Sequence, residues 1–115
     1  MARVIDTNNL DWTPVRPALT SAVSGKLLCD GATRIVLTRV APGGCFKPHR
    51  DAYAHLFHFL AGSGVVRIED QRIAIGEGIC VQVAAGELHS YENTGQEDLL
   101  LVSVNLPAGC AEHPS

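Results

Sequence analysis

The segment from Gly43 to Gly62 reads GGCFKPHRDAYAHLFHFLAG and contains three of the five histidines of the chain. His49, Asp51 and His55 fall within seven positions of it. Side chains two positions apart on a β-strand point to the same face, so His49 and Asp51 are expected to lie side by side. A short turn after Asp51 would bring His55 back beside them. The segment therefore predicts a cluster of imidazoles with one carboxylate.

A second block, residues 78–93, reads GICVQVAAGELHSYEN. His89 follows a glycine-containing turn in this block and opens the next β-rich run. Imidazole and carboxylate groups presented from adjacent strands are good ligands for divalent transition metals. The two blocks together predict one metal ion held by His49, Asp51, His55 and His89, with iron, manganese, nickel and zinc all left open.

Outside these blocks the chain consists of short runs rich in Val, Ile, Leu and Thr. Each run ends at a turn signal such as DG, PGG, GSG, GEG or NTG. Residues 64–75 read as a hairpin with its turn near Asp70 and Gln71. No stretch keeps helical periodicity over three turns. Strands at this spacing predict an all-β sandwich or barrel, with an N-terminal arm (1–17), the barrel (18–107) and a frayed tail (108–115).

The composition limits the classes of function. A chain of 115 residues with 46% hydrophobic and 18% charged residues is expected to form one globular domain. The net charge of −3 argues against nucleic acid as a partner. No apolar run approaches the roughly 20 residues of a membrane helix, and the N-terminus lacks the apolar core of a signal peptide. A cytoplasmic location is the expectation.

The four cysteines are Cys29, Cys45, Cys80 and Cys110, and they are scattered without a CxxC pair. We interpret them as free thiols in a reducing compartment, most of them buried as small apolar side chains.

The two histidine blocks resemble the two motifs of the cupin superfamily. In the first block, five residues separate Gly43 from His49, three separate Asp51 from His55, and six separate His55 from Gly62. These gaps all match the first cupin motif. The second block keeps the gaps of the second motif. The fifteen residues between the blocks match the short spacing of small single-domain cupins. The resemblance implies a double-stranded β-helix, or jelly-roll barrel, with the metal inside.

Three positions depart from the family pattern. Asp51 stands where the family has a second histidine, His55 where it has a glutamate, and Ala84 where it has a proline. The first two changes together keep three imidazoles and one carboxylate, so we interpret them as an exchange of ligand type. Asp51 is either a direct ligand or a residue that orients a histidine. In the second case His49, His55 and His89 resemble the three-histidine set of thiol dioxygenases.

Four residues are candidates for a substrate pocket. Phe57 and Phe59 share the parity of His55 and are expected to form an apolar wall. Gln82 would contact substrate if it faced inward, and Tyr91 is assigned to either core or pocket. His58 has the opposite parity to His55 and is expected to face outward.

The resemblance implies a metal-dependent enzyme acting on a small molecule, of dioxygenase, isomerase or lyase type, and it assigns no catalytic residue. The alternative is a non-catalytic zinc- or small-ligand-binding sensory module. Residues 11–44 look like the front of the zinc-binding cupin domain in ChrR-type anti-sigma factors. A homodimer is expected, formed through the N-terminal arm and the apolar run from Leu99 to Val102.

Overall fold

The computed structural model describes residues 2–108, which form nine β-strands and one short 3-10 helix, Thr7–Asn9. The strands are β1 (Thr13–Pro14), β2 (Thr20–Asp30), β3 (Arg34–His49), β4 (Ala54–Ala61), β5 (Ser63–Ile68), β6 (Gln71–Gly76), β7 (Cys80–Val83), β8 (His89–Asn93) and β9 (Leu99–Leu106). Almost all of the predicted tail, with Cys110 and His113, lies outside the described residues. The all-β prediction is confirmed.

The strands form one curled antiparallel sheet in the order β6-β5-β8-β3-β9-β4-β7, with β2 also paired to β3 and β1 to β2. The long strand β3 causes the curl, because its two halves pair with different neighbours. Its first half lies along β9, from Arg34 opposite Asn105 to Val40 opposite Leu99. Its second half lies along β8, where His49 is opposite His89. The predicted jelly-roll architecture is confirmed.

The turn signals lie where the chain reverses. The predicted hairpin is formed by β5 and β6, with its turn at Glu69 and Asp70, one residue earlier than expected. The four motif glycines Gly43, Gly62, Gly78 and Gly86 all have positive φ, between 79° and 85°. At Gly62 a Cβ atom would also lie 2.6 Å from the carbonyl oxygen of Asp98. The glycine spacing therefore reflects backbone geometry that other residues rarely adopt.

The core fills one end of the barrel with apolar side chains. Phe59 faces Leu101 across β4 and β9, and Val40 faces Leu99 across β3 and β9. All four, with Val66, are 0% exposed. Burial of one such side chain stabilises the fold by about 1.5–3 kcal/mol. This closed end leaves the opposite end of the same strands free to carry polar groups.

The N-terminal arm adds β1 to the sheet and covers part of its outer face. The ring of Trp12 contacts two cations, the guanidinium of Arg39 at 4.2 Å and Nζ of Lys26 at 4.6 Å from the ring centroid. Nζ of Lys26 also donates a hydrogen bond to the Thr7 carbonyl at 2.7 Å. Trp12 is half-buried, so its ring packs the arm against the sheet. No helix among residues 2–108 is long and apolar enough to cross a membrane.

The expectation that most cysteines are buried is wrong for the described residues. Cys29 and Cys80 are exposed, because both lie on the outer side of the sheet, and Cys80 pairs there with the exposed His58. Leu99 and Leu101 are not free for an interface, because β9 lies between β3 and β4 and turns both side chains into the core.

Candidate metal centre

The three histidines come from the ends of three strands at the polar end of the barrel. His49 is the last residue of β3, His55 is the second of β4, and His89 is the first of β8. We expected His49 and Asp51 to lie on one strand, but β3 ends at His49 and does not include Asp51. Asp51 lies in the loop between β3 and β4, so its position depends on this loop and on its contacts rather than on strand parity.

The carboxylate of Asp51 lies at the centre of the cluster. Its Oδ2 is 3.0 Å from Nε2 of His49, 2.9 Å from Nε2 of His55 and 3.7 Å from Nε2 of His89. The ligand atoms of His49, Asp51 and His89 all lie within 4.8 Å of one another, a group positioned to bind a metal ion. His55 is not part of this group of three, but its Nε2 contacts the same Asp51 oxygen.

Each imidazole is held by a hydrogen bond at its Nδ1. The partners are the Lys47 carbonyl for His49 at 2.8 Å, the Glu87 carbonyl for His89 at 2.9 Å, and Oδ1 of Asn105 for His55 at 3.2 Å. A carbonyl oxygen only accepts hydrogen bonds, so Nδ1 is the donor in each of these contacts. Each Nε2 is then directed toward Asp51. Metal-binding histidines are commonly oriented in this way.

Burial favours the neutral form of His55 and His89. His55 is 5% exposed and His89 is 3% exposed. Burial lowers the pKa of His89 to about 4, and the Glu87 carbonyl opposes this only in part. Burial also lowers the pKa of His55, against the hydrogen bond and charge of Asp51. Nε2 of His89 is buried without a hydrogen-bond partner, and a buried polar atom of this kind requires an explanation.

Asp51 is ionised in the same cluster. Burial alone would raise its pKa, but the charge of Arg16, the hydrogen bond with His55 and the charge of His49 together hold it below the usual value. Nη1 of Arg16 lies 3.1 Å from Oδ1 and 3.3 Å from Oδ2. Three ring nitrogens thus converge on one oxygen of an ionised carboxylate, an arrangement that a bound cation would stabilise.

Aromatic rings surround the cluster. Phe46 stacks on His49 with ring centroids 4.5 Å apart, and Tyr53 lies 4.9 Å from His55. Phe57 packs 5.4 Å from His55 and 6.1 Å from His89, in the wall position predicted for it. Burial and the charge of Asp51 raise the pKa of Tyr53, whereas the charges of Arg16 and Arg34 oppose that shift.

Two of the four pocket candidates lie elsewhere. Phe59 shares the inward direction of Phe57 but belongs to the closed apolar end, where it is fully buried in the core. Gln82 is exposed, because its neighbours Val81 and Val83 face inward and strand alternation turns Gln82 outward. Tyr91 packs edge-on against Phe46 and Phe57 and lines a cavity.

The cavity has a volume of about 340 Å³ and lies beside the metal centre. None of the four candidate ligands lines it, but residues that touch them do. Arg16 contacts Asp51, Phe46 stacks on His49, and Asn105 contacts His55. Tyr91 completes this side, and Arg34 lies on the β3 side of the cavity.

Sequence reasoning missed Arg16 and Asn105. Arg16 is 35 positions from Asp51, and Asn105 is 50 positions from His55. Asn105 carried a weak signal, since it alternates with Ser103 on the inward face of an otherwise apolar strand. Arg16 carried none.

The fold and the cluster define a class of protein, a jelly-roll barrel with a histidine-rich group at its polar end. A family model described as the Cupin domain matches residues 36–105, which is more than half of the chain. The chain therefore belongs to the cupin family. No curated protein matches it closely enough to count as a relative.

Solved structures agree on the fold. A predicted oxalate decarboxylase from Thermotoga maritima superposes with a TM-score of 0.84 at 21% identity, covering 91% of this chain and 99% of that one. The polyketide cyclase RemF from Streptomyces resistomycificus superposes with a TM-score of 0.83 at 21% identity, covering 100% of this chain and 83% of that one. A cupin 2 conserved barrel domain protein from Rhodopseudomonas palustris superposes with a TM-score of 0.74 at 19% identity, covering 93% of this chain and 77% of that one.

Proposed function

We propose that this protein is a metal-dependent enzyme acting on a small molecule, with one divalent transition metal ion held by His49, His55 and His89. The supporting observation is the orientation of the three rings. Each Nδ1 is committed to an oxygen acceptor, and each Nε2 is directed at the Asp51 carboxylate. The buried, unpartnered Nε2 of His89 gains a partner when a metal binds.

Asp51 is proposed as the fourth ligand through Oδ2. Nη1 of Arg16 contacts both carboxylate oxygens, at 3.1 Å from Oδ1 and 3.3 Å from Oδ2, and so restrains the carboxylate. Three neutral imidazoles and one carboxylate suit iron, manganese, nickel or zinc. An Asp51→Asn variant separates the two roles of this side chain. If Asp51 is a direct ligand, the variant is expected to lose most of its metal affinity. If Asp51 only orients a histidine, the metal affinity is expected to fall about 10–100-fold.

A divalent ion in this position would polarise a substrate carbonyl or lower the pKa of a bound water, and iron would also bind dioxygen. The residues of the chain position the substrate and exclude water. Phe46 and Phe57 close the site with apolar rings, and Tyr91 lines the cavity next to them. This supports dioxygenase, isomerase or lyase chemistry, the reaction types that the cupin resemblance implies.

Metal analysis tests the proposal directly. Protein reconstituted without oxygen and freed of excess metal is expected to hold close to one transition-metal ion per chain. Absence of metal after reconstitution with each of the four ions would refute it. An activity that survives complete metal removal would also contradict it.

A second candidate function is a closed zinc- or ligand-binding sensory module. One observation favours it. None of the four candidate ligands lines the cavity, and the Arg16–Asp51 pair lies between the histidines and the cavity. Spectroscopy of iron-loaded protein separates the two. A spectrum changed by nitric oxide supports an open, catalytic site, whereas an unchanged spectrum and a preference for zinc support the closed module.

We propose that two copies of the chain associate through the outer face of β9. Leu100, Val102 and Val104 face outward there, next to Ile35 and Leu37 of β3, so the first part of this strand, where Leu99 and Leu101 face the core, is apolar on both faces. Strands apolar on both faces are typically covered on both. Sedimentation is expected to give the mass of two chains. Val102→Glu is expected to give one chain, and Ala74→Glu, on the exposed face of β6, is expected to leave the dimer intact.

A cytoplasmic location is proposed from the thiols. Cys29 and Cys80 are free and exposed, and such thiols persist in a reducing compartment. Fractionation of cells that express the chain tests this, and recovery from an oxidising compartment would contradict it.

A further inference from the structure

The cavity beside the metal centre is lined by two guanidinium groups. Arg16 enters it from the N-terminal arm, and Arg34 enters from the first residue of β3. Among the described residues that line the cavity there is no Asp or Glu. Val15, Leu27 and Val36 form an apolar wall, and the rest of the lining includes neutral polar groups such as Thr13, Ser103 and Asn105. The cavity therefore combines an apolar wall and neutral polar groups with positive charge.

The two arginines differ in how fully their charge is compensated. Arg16 is paired with Asp51 at 3.1 Å, and the Asp51 side chain is only 6% exposed. Arg34 is paired with Asp30 at 3.8 Å, where the two side chains are 51% and 63% exposed. Exposed pairs of this kind contribute little and are easily exchanged for another partner. Arg34 is thus available to a ligand.

Binding of a divalent ion would make this region more positive still. The ion adds two positive charges near Asp51, the one carboxylate in contact with the three histidines. With Arg16 and Arg34, the site then has a surplus of positive charge facing a space of about 340 Å³. An anionic ligand would neutralise this surplus, and a neutral ligand would not.

We propose that the cavity binds a small organic acid whose carboxylate pairs with Arg34 and whose apolar part lies against Val15, Leu27 and Val36. The inference rests on the proposed function and names the substrate class of the same site. The planar guanidinium matches a carboxylate with two parallel hydrogen bonds. The apolar wall and the volume, near the lower end for ligand sites, favour a small carboxylic acid over a bare inorganic anion.

Calorimetric titration with two acids and their uncharged counterparts tests the inference. The probes are succinate and benzoate, with succinamide and benzamide as controls, added to metal-loaded protein and to metal-stripped protein. At least one acid is expected to bind, and its amide is expected to bind at least about tenfold more weakly. Arg34→Gln is expected to weaken the acid by about tenfold. Arg72→Gln, an exposed arginine of the β5–β6 hairpin, is expected to change nothing.

The outcomes separate this inference from the proposed function. If the chain holds no metal but binds the acid in an Arg34-dependent way, the carboxylate site stands and the metal enzyme does not. If the chain holds metal but Arg34→Gln binds the acid as wild type does, the inference is overturned and the metal site stands. Equal binding of acids and amides, or tighter binding of inorganic phosphate than of either acid, would also overturn it.

Discussion

The two ends of the barrel are built from the same strands but carry opposite chemistry. Along β4 the inward residues are Phe59, Phe57 and then His55, and along β9 they change from Leu101 to Asn105. The apolar end is fully buried and closed, whereas the polar end holds an ionised carboxylate and the candidate metal ligands. One strand thus supplies stability at one end and function at the other. The two properties can therefore be altered separately.

The largest expected effect separates the two faces of β4. His55→Ala removes a proposed ligand at the polar end, and metal content is expected to fall to background because only two of the three imidazoles remain. His58→Ala, on the outer face of the same strand, is the matched control and is expected to keep the full metal content. Metal analysis of both purified variants checks this. Equal metal content in the two variants would break the comparison.

The next effect concerns the closed end. Phe59→Ala is expected to lower the free energy of unfolding by about 3–5 kcal/mol, because it leaves a cavity in a fully packed core. The exposed neighbour Leu60→Ala is expected to cost within about 0.5 kcal/mol. Urea unfolding of metal-stripped protein measures both. Folded Phe59→Ala should still bind metal, and loss of binding would show that the two ends are coupled.

A smaller effect is expected at Asn105, which touches His55 but would not touch the metal. Asn105→Leu removes the acceptor for Nδ1 of His55, and metal affinity is expected to fall about 10–100-fold. Ser103→Ala, two positions away on the same face of β9, is expected to leave the affinity unchanged. Competition with a chelator measures the affinities. An unchanged metal affinity in Asn105→Leu would show that Asn105 does not support the metal site.

The smallest effect is a pH dependence of stability in metal-stripped protein. The pKa of His89 is about 4 in the folded chain and about 6.5 when unfolded. Between these values the unfolded chain binds more protons than the folded chain. The contribution of neutral His89 to the free energy of unfolding is therefore complete above pH 6.5 and declines as the pH falls toward 4. Thermal unfolding across this range is expected to show a shallower decline for His89→Gln. Identical profiles would show that His89 does not contribute.

The sequence predicted much of the fold because strand alternation and turn chemistry are local. The β5–β6 hairpin and the motif glycines were correctly located to within one residue. Sequence spacing also placed His49, His55 and His89 on separate strands that meet. These features depend on residues a few positions apart, which a single sequence displays directly.

The parts that failed depend on contacts between distant residues or on depth in the barrel. Arg16 reaches Asp51 from the N-terminal arm, and no local pattern marks that contact. Phe59 was correctly oriented inward but wrongly assigned to the pocket, because parity gives the face and not the position along the barrel axis. The assignment of Gln82 to the pocket was avoidable, because the flanking valines face inward and strand alternation turns Gln82 outward.

The central place of β9 has a consequence for how the protein is made. This strand lies near the end of the chain, yet it pairs with β3 on one side and β4 on the other. His55 therefore gains its Asn105 partner, 50 positions away, only when β9 inserts. Folds dominated by such distant pairings close slowly, in about milliseconds to seconds. His55 cannot reach its final orientation before that closure, so a metal ion that needs His55 is expected to be captured late in folding.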